Sequence, residues 1–320
     1  MSGKDPASTP RSVAPRARIA LSGASGFIGR VLSTELVNRG FEVVRIDRID
    51  LEDMRAGADR ANLLTRCEAA VHLAARAHVL QETEDSLLSA YRIANRDTTL
   101  AFAKACARAR IRRFVFVSSI RVNGGTSTHP FRPDDPTAPE EPYATSKLEA
   151  EAGLWKIARA TGLEAVIVRP PLVYGPNARA NFLRLLKLAA LPLPLPLGSV
   201  SGTRSYVSIW NLCDLLIRCL EHPSAPGNVF LAGDGEDVKL PQLISILRAA
   251  MERRPMLLPL PESVLRVCAS LVGMGSEIDK LMATLQVDIS ETRRILDWAP
   301  PVSLIEGLTR TAKWYAASHS

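Results

Sequence analysis

A chain that contains Arg18-Ile19-Ala20-Leu21-Ser22-Gly23-Ala24-Ser25-Gly26-Phe27-Ile28-Gly29 has few folds open to it. A short apolar run ends in a turn with glycines three residues apart. A helix-period segment follows at once, with Val31, Leu32, Leu36 and Val37 on one face. Strand, glycine turn and helix together hold a diphosphate. Gly23 permits the tight turn, Gly26 lets backbone approach a phosphate, and Gly29 lets the helix lie close to the strand. The helix start then offers free N–H groups and a partial positive charge, with Ser25, Phe27 and Ile28 around it.

The rest of the chain continues that beginning. Phe41 to Ile46 reads as a second strand and ends at Asp47. An acid there, about 20 residues past the glycines, accepts hydrogen bonds from an adenosine ribose and favours NAD. The neighbouring Arg48 keeps NADP open, because a guanidinium can pair with its 2′-phosphate. Ala69 to Leu73 is a third strand, and Leu73, Ala74 and Ala75 leave room for a flat cofactor at its end. Leu87 to Ala109 has helical spacing, with Asn95 placed to satisfy a backbone group. Phe114 to Val117 is a fourth strand running into Ser118 and Ser119. A helix opens at Tyr143, and Glu164 to Arg169 is a fifth strand. Alternating strands and helices predict an α/β fold, a Rossmann-type doubly wound parallel sheet.

After Asn177 the rhythm changes and prolines become frequent. The reading is a disordered tail over 1–17 and a dinucleotide-binding domain over 18–176, to which 206–232 returns. A smaller, mostly helical C-terminal domain takes 177–205 and 233–320. Tyr206 to Glu221 and Val229 to Ala232 are expected to rejoin the main sheet.

Composition excludes more than it selects. With 320 residues, 47% hydrophobic, the chain can bury a core without disulfide or metal staples. Its five cysteines are odd in number and never paired as Cys-x-x-Cys, which reads as buried free thiols in a reducing compartment. The histidines form no ligand pattern, so no metal is expected, and His72 and His78 are assigned to packing or the cofactor environment. A net charge of +7 raises nucleic acid as a partner. No aromatic residues interleave with the basic clusters and no nucleic-acid motif is present, so a solvated basic face is expected. Prolines 192, 194 and 196 break the greasiest stretch, which cannot insert into a membrane as a helix. The expected location is the cytoplasm.

Tyr143 and Lys147 lie four residues apart at a helix start and share a face. A phenol with pKa near ~10 is a poor acid or base at neutral pH. An ammonium one turn away is expected to stabilise phenolate and lower that value. Ser119 would orient the reacting oxygen. Such a set moves a proton on and off an alcohol oxygen while a nicotinamide moves the hydride.

The glycine turn, Asp47, His72-Leu73-Ala74-Ala75, Val117-Ser118-Ser119, Tyr143-x-x-x-Lys147 and Arg169-Pro170-x-x-x-Tyr174-Gly175-Pro176 resemble the extended short-chain dehydrogenase/reductase family, the nucleotide-sugar epimerases and dehydratases. The resemblance spans about residues 18 to 315. It implies Ser119, Tyr143 and Lys147 as catalytic residues and a sugar nucleotide held between two domains. It also implies Asn181 and Arg204 near the substrate diphosphate, and a homodimer formed through the helices at Leu87–Ala109 and Tyr143–Ala160. Three departures narrow it. Gly275 to Val287 lacks the Arg-x-Gly-Asp-like segment usual in UDP-galactose 4-epimerases. Ile120-Arg121 stands where dehydratases carry Asp-Glu, and Asn123-Gly124 where many relatives carry Tyr-Gly. The segments Ser118–Gly124 and Leu285–Ser290 look most like a subgroup of UDP-glucose 4-epimerase-like proteins that includes UDP-N-acetylquinovosamine dehydrogenases. The implied reaction is reduction of UDP-4-keto-6-deoxy-N-acetylglucosamine, as in O-antigen assembly. The alternative is 4-epimerisation of a UDP-hexose.

Overall fold

The computed structural model describes residues 16–76, 84–271 and 275–319. The first unit is β1 (Arg18–Ser22), α1 (Phe27–Asn38), β2 (Glu42–Ile46), α2 (Arg48–Arg55) and β3 (Cys67–His72). Next come α3 (Glu84–Tyr91), α4 (Thr98–Arg108), β4 (Arg113–Val117), α5 (Pro142–Thr161) and β5 (Glu164–Arg169). Then follow β6 (Leu172–Tyr174), α6 (Ala180–Ala190), β7 (Thr203–Ser208), α7 (Ile209–Glu221), β8 (Val229–Leu231) and β9 (Asp237–Lys239). The chain closes with α8 (Leu240–Ala250), α9 (Glu262–Leu271), α10 (Gly275–Met282), α11 (Ser290–Leu296) and α12 (Leu304–Ser318).

Six strands form one parallel sheet in the order β2-β1-β3-β4-β5-β8. One face packs Leu32 and Leu36 of α1 and Leu212, Leu215 and Leu216 of α7 against Leu21, Val71, Val115 and Val166. The other face packs Phe102 of α4 and Leu154 of α5 against Ala70, Phe114 and Ile167. Strand β4 is buried at every position, as a strand covered on both faces must be. This is the expected doubly wound architecture. A third apolar cluster joins α6, α8 and α12 through Phe182, Leu186, Leu243, Leu247 and Leu308.

The segment 206–232 divides between two sheets. Helix α7 lies on the main sheet beside α1, and β8 pairs with β5 at its edge. Strand β7 instead pairs in parallel with β6 and antiparallel with β9 in a separate three-stranded sheet. A β-type run shows in sequence, but its partners lie far along the chain and leave no local signal.

The expected single helix Leu87–Ala109 is α3 and α4 joined by a π-helical turn over Arg92–Asp97. The widened turn carries the fully buried Asn95. Asn95 Oδ1 accepts from Arg76 N at 2.8 Å. Its Nδ2 donates to Arg76 O at 3.2 Å and to Ser146 Oγ at 3.0 Å. The backbone group it satisfies therefore follows β3. Cys67, Cys106, Cys213 and Cys219 are free and buried as expected, whereas Cys268 is exposed on α9.

Arg113 fixes α7 to the sheet. Its side chain is 2% exposed. Nη1 donates to the carbonyls of Cys219, Leu220 and His222, at 3.1, 2.8 and 2.8 Å. The carbonyls of Cys219 and Leu220 are ones that the end of α7 leaves without intrahelical partners, and His222 is its C-cap. Nη2 pairs with Glu164 at 2.8 Å. An Arg113→Met variant loses the charge-assisted bonds and strands the carbonyls. It is expected to lower stability by about 3 kcal/mol in urea denaturation.

Candidate active site

The carboxyl edge of the main sheet gathers the sequence-predicted residues, and the register shows why. Ser22 pairs with both Ile46 and His72, His72 with Phe116, and Val117 with Val168. Gly23, Asp47, Leu73 and Ser118 are the next residues out of those strands. Between β2 and β3 the chain changes direction across β1, which makes the crevice where open α/β sheets bind ligands.

The glycine turn has the geometry a dinucleotide phosphate needs. Gly23 has φ +73°, and a Cβ there would stand 2.8 Å from Ala74 N. A Cβ on Gly29 would stand 2.0 Å from Gly23 O, so only glycine lets α1 lie on the turn. On Gly26 a Cβ would meet only Gly23 O, at 3.1 Å, which leaves its other side open. Gly26 is the N-cap of α1, and no side chain caps the helix. The first N–H groups of α1 are thus free for an anion. Ser25 is exposed at the turn, and Phe27 and Ile28 are half-buried. Leu73 and Ala74 are half-buried and Ala75 is exposed beyond β3. Asp47 is exposed as the N-cap of α2, and its N–H donates to Asp50 Oδ2 at 3.0 Å. Arg48 points to solvent and pairs with Glu52 at 2.8 Å. These residues fit a nicotinamide dinucleotide, with an acid rather than a guanidinium at the strand end.

His72 is packed, as expected. It is fully buried among Phe102, Phe114 and Phe116, and Nδ1 lies 2.6 Å from Ser22 Oγ. Burial, aided by the Lys147 charge, lowers its pKa to about 3, so the ring is neutral. His78 lies outside the described residues.

Helix α5 begins with Pro142 at its first turn and presents Tyr143 and Lys147. Lys147 is 2% exposed; Nζ donates to Val117 O at 2.7 Å and lies 4.2 Å from the centre of the Phe116 ring. Burial lowers its pKa to about 7, and the Glu151 charge one turn on opposes that shift. The Tyr143 ring meets Tyr91 edge-on at 5.9 Å. Desolvation of its hydroxyl raises its pKa to about 12, with Tyr91 adding to the shift. The expectation that Lys147 lowers the tyrosine is therefore not met in this state. The ammonium is spent on a carbonyl and an aromatic face, and desolvation dominates the phenol. Ser119 is half-buried, and its Oγ accepts from Arg121 N at 3.2 Å, starting a short helical turn.

The two residues expected at the substrate end are placed differently. Asn181 is exposed in the first turn of α6. Arg204 is half-buried on β7 and donates to the carbonyl of Lys280 in α10. Burial lowers its pKa, and the nearby Arg121 charge lowers it further. Arg121 also acts on Glu141. Burial opposes ionisation there, but the bond from Lys280, at 2.9 Å, and the Arg121 charge hold the carboxyl below its usual range.

Several supporting residues escaped the sequence reading. Arg169, at the end of β5, holds Glu151 bidentately at 3.1 and 2.6 Å and donates to Asn123 Oδ1 at 3.1 Å. Tyr174 donates to Asp234 Oδ2 at 2.7 Å, while Asp234 Oδ1 accepts from Ser208 N and from Asn211 Nδ2. Arg169 and Tyr174 were visible as motif letters, but Glu151 and Asp234 are ordinary acids on the page. Only the fold brings them to their partners.

The arrangement defines the class of protein. The sequence pattern of the NAD dependent epimerase/dehydratase family matches residues 19–233, and the chain belongs to that family. It is 38% identical to a UDP-glucose 4-epimerase of Vibrio cholerae over 316 residues, 94% of this chain and 96% of that one. It is 27% identical to a UDP-glucose 4-epimerase of Mycolicibacterium smegmatis, over 93% and 98% of the two chains. In fold it is similar to UDP-glucuronic acid 4-epimerase from Bacillus cereus in complex with NAD. There the TM-score is 0.76 at 22% identity, with 95% of this chain and 100% of that one covered.

A lysine kept in a site that lowers its pKa costs stability, and the sign can be followed with pH. The unfolded chain holds the Lys147 proton up to about pH 10.5, while the folded chain releases it near 7. Below about pH 7 the full cost is carried, and it fades as pH rises to about 10.5. Lys147→Met is therefore expected to stabilise the protein by on the order of 2 kcal/mol at pH 6. In urea titrations across pH that gain should shrink toward pH 10. A gain that grows with pH would contradict the assignment.

Proposed function

We propose that the chain is an NAD-dependent enzyme that acts at C4 of a nucleotide-sugar hexose. The observation that carries this reading is the convergence of Ser119, Tyr143 and Lys147 with the glycine turn on one sheet edge. The nicotinamide, when bound, supplies or accepts a hydride. Lys147 holds the nicotinamide ribose, Tyr143 exchanges a proton with the C4 oxygen, and Ser119 orients that oxygen. Gly23, Ser25, Gly26, Phe27, Ile28 and Gly29 hold the dinucleotide phosphates. Asp47 takes the adenosine ribose, and Leu73, Ala74 and Ala75 lie along the cofactor. Asn181 and Arg204 face the substrate diphosphate. Segments 177–205 and 233–320 serve as the substrate domain.

Within that chemistry, 4-epimerisation of a UDP-hexose is the reading the relatives favour, through the 38% identity to the Vibrio cholerae enzyme. Reduction of a 4-keto-6-deoxy UDP-sugar is the second reading. It is favoured by the resemblance of Ser118–Gly124 and Leu285–Ser290 to the keto-reductase subgroup. The departure at Asn123-Gly124 points the same way.

One comparison separates them. Purified protein is incubated with UDP-glucose and UDP-N-acetylglucosamine, and the C4 epimers are quantified. In parallel it receives UDP-4-keto-6-deoxy-N-acetylglucosamine with NADH or NADPH. Epimer formation without added cofactor supports the first reading, and consumption of reduced cofactor supports the second. Tyr143→Phe is expected to slow either reaction by about 10²–10⁴-fold. Inactivity on all three sugars would remove both readings.

A further inference from the structure

Most of the exposed large apolar side chains among the described residues fall in one part of the fold. Leu191 and Leu193 follow α6, 43% and 59% exposed. Leu258 lies beside them at 53%, because Leu195 N donates to Met256 O at 2.9 Å and Leu258 N to Leu195 O at 2.8 Å. Helix α9 begins shortly after Leu258 and carries Val264, Val267 and Leu271 on one stripe. They are 41%, 61% and 82% exposed. Elsewhere Val37, Ile49, Ile93 and Ile305 stand singly, which is ordinary for a surface. An apolar cluster of this kind marks an interaction site.

The loops that form the ridge are held in shape. Arg248, 1% exposed, donates from Nη2 to the carbonyls of Leu191 and Leu193, at 2.9 and 2.7 Å. From Nη1 it reaches the carbonyls of Arg254 and Met256, at 3.4 and 3.3 Å. Burying a guanidinium opposes folding unless its hydrogen bonds compensate. Here that group fixes the backbone beneath side chains that face water.

The charge around the ridge says what it fits. Arg253 and Arg254 are exposed next to Met256, and Arg184 and Lys187 are exposed on the helix that leads to Leu191. None of the ion pairs among the described residues uses these four cations. Of the acids close by, Glu262 is engaged by Ser201 and Asp279 by Arg266, and Glu252 is exposed beside Arg253, so the four cations outnumber it.

We infer that this face docks on an anionic phospholipid surface. The apolar side chains of α9 and of the Leu193–Leu258 loops enter the headgroup boundary, and the flanking cations meet lipid phosphates. Docking is peripheral, since no helix among the described residues is long and apolar enough to cross a membrane. A second copy fits less well, because a two-fold pairing of the face would bring like charges together. The surface belongs to the segments proposed to hold the substrate, so docking brings that part of the enzyme to the membrane. The inference goes beyond the C4 chemistry and does not depend on it.

Flotation of the full chain with phosphatidylcholine vesicles, with and without phosphatidylglycerol, tests it. The chain is expected to float at least ~10-fold more with the anionic vesicles, and less as salt is raised. Val267→Glu with Leu271→Glu, and separately Arg253→Glu with Arg254→Glu, should each cut flotation by ~10-fold. The melting temperature of each variant should stay unchanged. No flotation on anionic vesicles, or flotation that both variants retain, overturns the inference. So does a dimer that the Val267→Glu, Leu271→Glu variant dissociates without any binding to vesicles.

Discussion

The active-site edge depends on an ion pair buried behind it. Arg169 and Glu151 have side chains 6% and 3% exposed, so both charges have left water almost completely. Desolvation costs several kcal/mol per ion, and only near-ideal geometry offsets it. The bidentate fork supplies that geometry, and Asn123 takes a further guanidinium hydrogen. The three partners come from β5, from α5 one turn beyond Lys147, and from the loop after Ser119. One guanidinium therefore sets the distance between the helix that carries Tyr143 and Lys147 and the loop that carries Ser119. Glu151 has an electrostatic role as well, because its charge opposes the loss of the Lys147 proton. A hydrophobic replacement of the pair could fold, but it would lose this tie between α5 and the loop after Ser119, leaving the Lys147 bond to Val117 O to hold the two.

The fold was legible where sequence and contact coincide. Strand, glycine turn and helix are neighbours in sequence and in space, and Gly23 and Gly29 are required by close approach to Leu73 and Ala74 just after the adjacent strand and to the turn itself. The main-sheet strands were readable from their apolar runs for the same reason. Legibility failed where the deciding contact is remote. Strand β7 was assigned to the large sheet because its partners, β6 and β9, are brought to it only by the tertiary fold. The π-helical turn at Arg92–Asp97 could not be seen either, because it exists to bring Asn95 to Arg76 and Ser146.

At the site, residue identity was legible and electrostatics were not. Tyr143, Lys147 and Ser119 are recognisable by spacing, and the sheet order puts them near the glycine turn. The pKa relation between the tyrosine and the lysine depends on how deeply each is buried and on what else the ammonium touches. The carbonyl of Val117 and the ring of Phe116 compete for the Lys147 charge. Spacing alone could not reveal that competition.

The proposed substrate end differs from the cofactor end in how its charges are arranged. At the cofactor end the polarity comes from backbone, the free N–H groups of α1 and the acid at 47, and little side-chain motion is needed. At the far end it comes from long side chains on separate segments: Arg121 after Ser119, Arg204 on β7, Lys280 on α10 and Glu141 before α5. Burial penalises the charged form of Arg204, the nearby Arg121 charge disfavours it further, and Arg204 donates to the Lys280 carbonyl. An anion seated near both guanidiniums would relieve that repulsion.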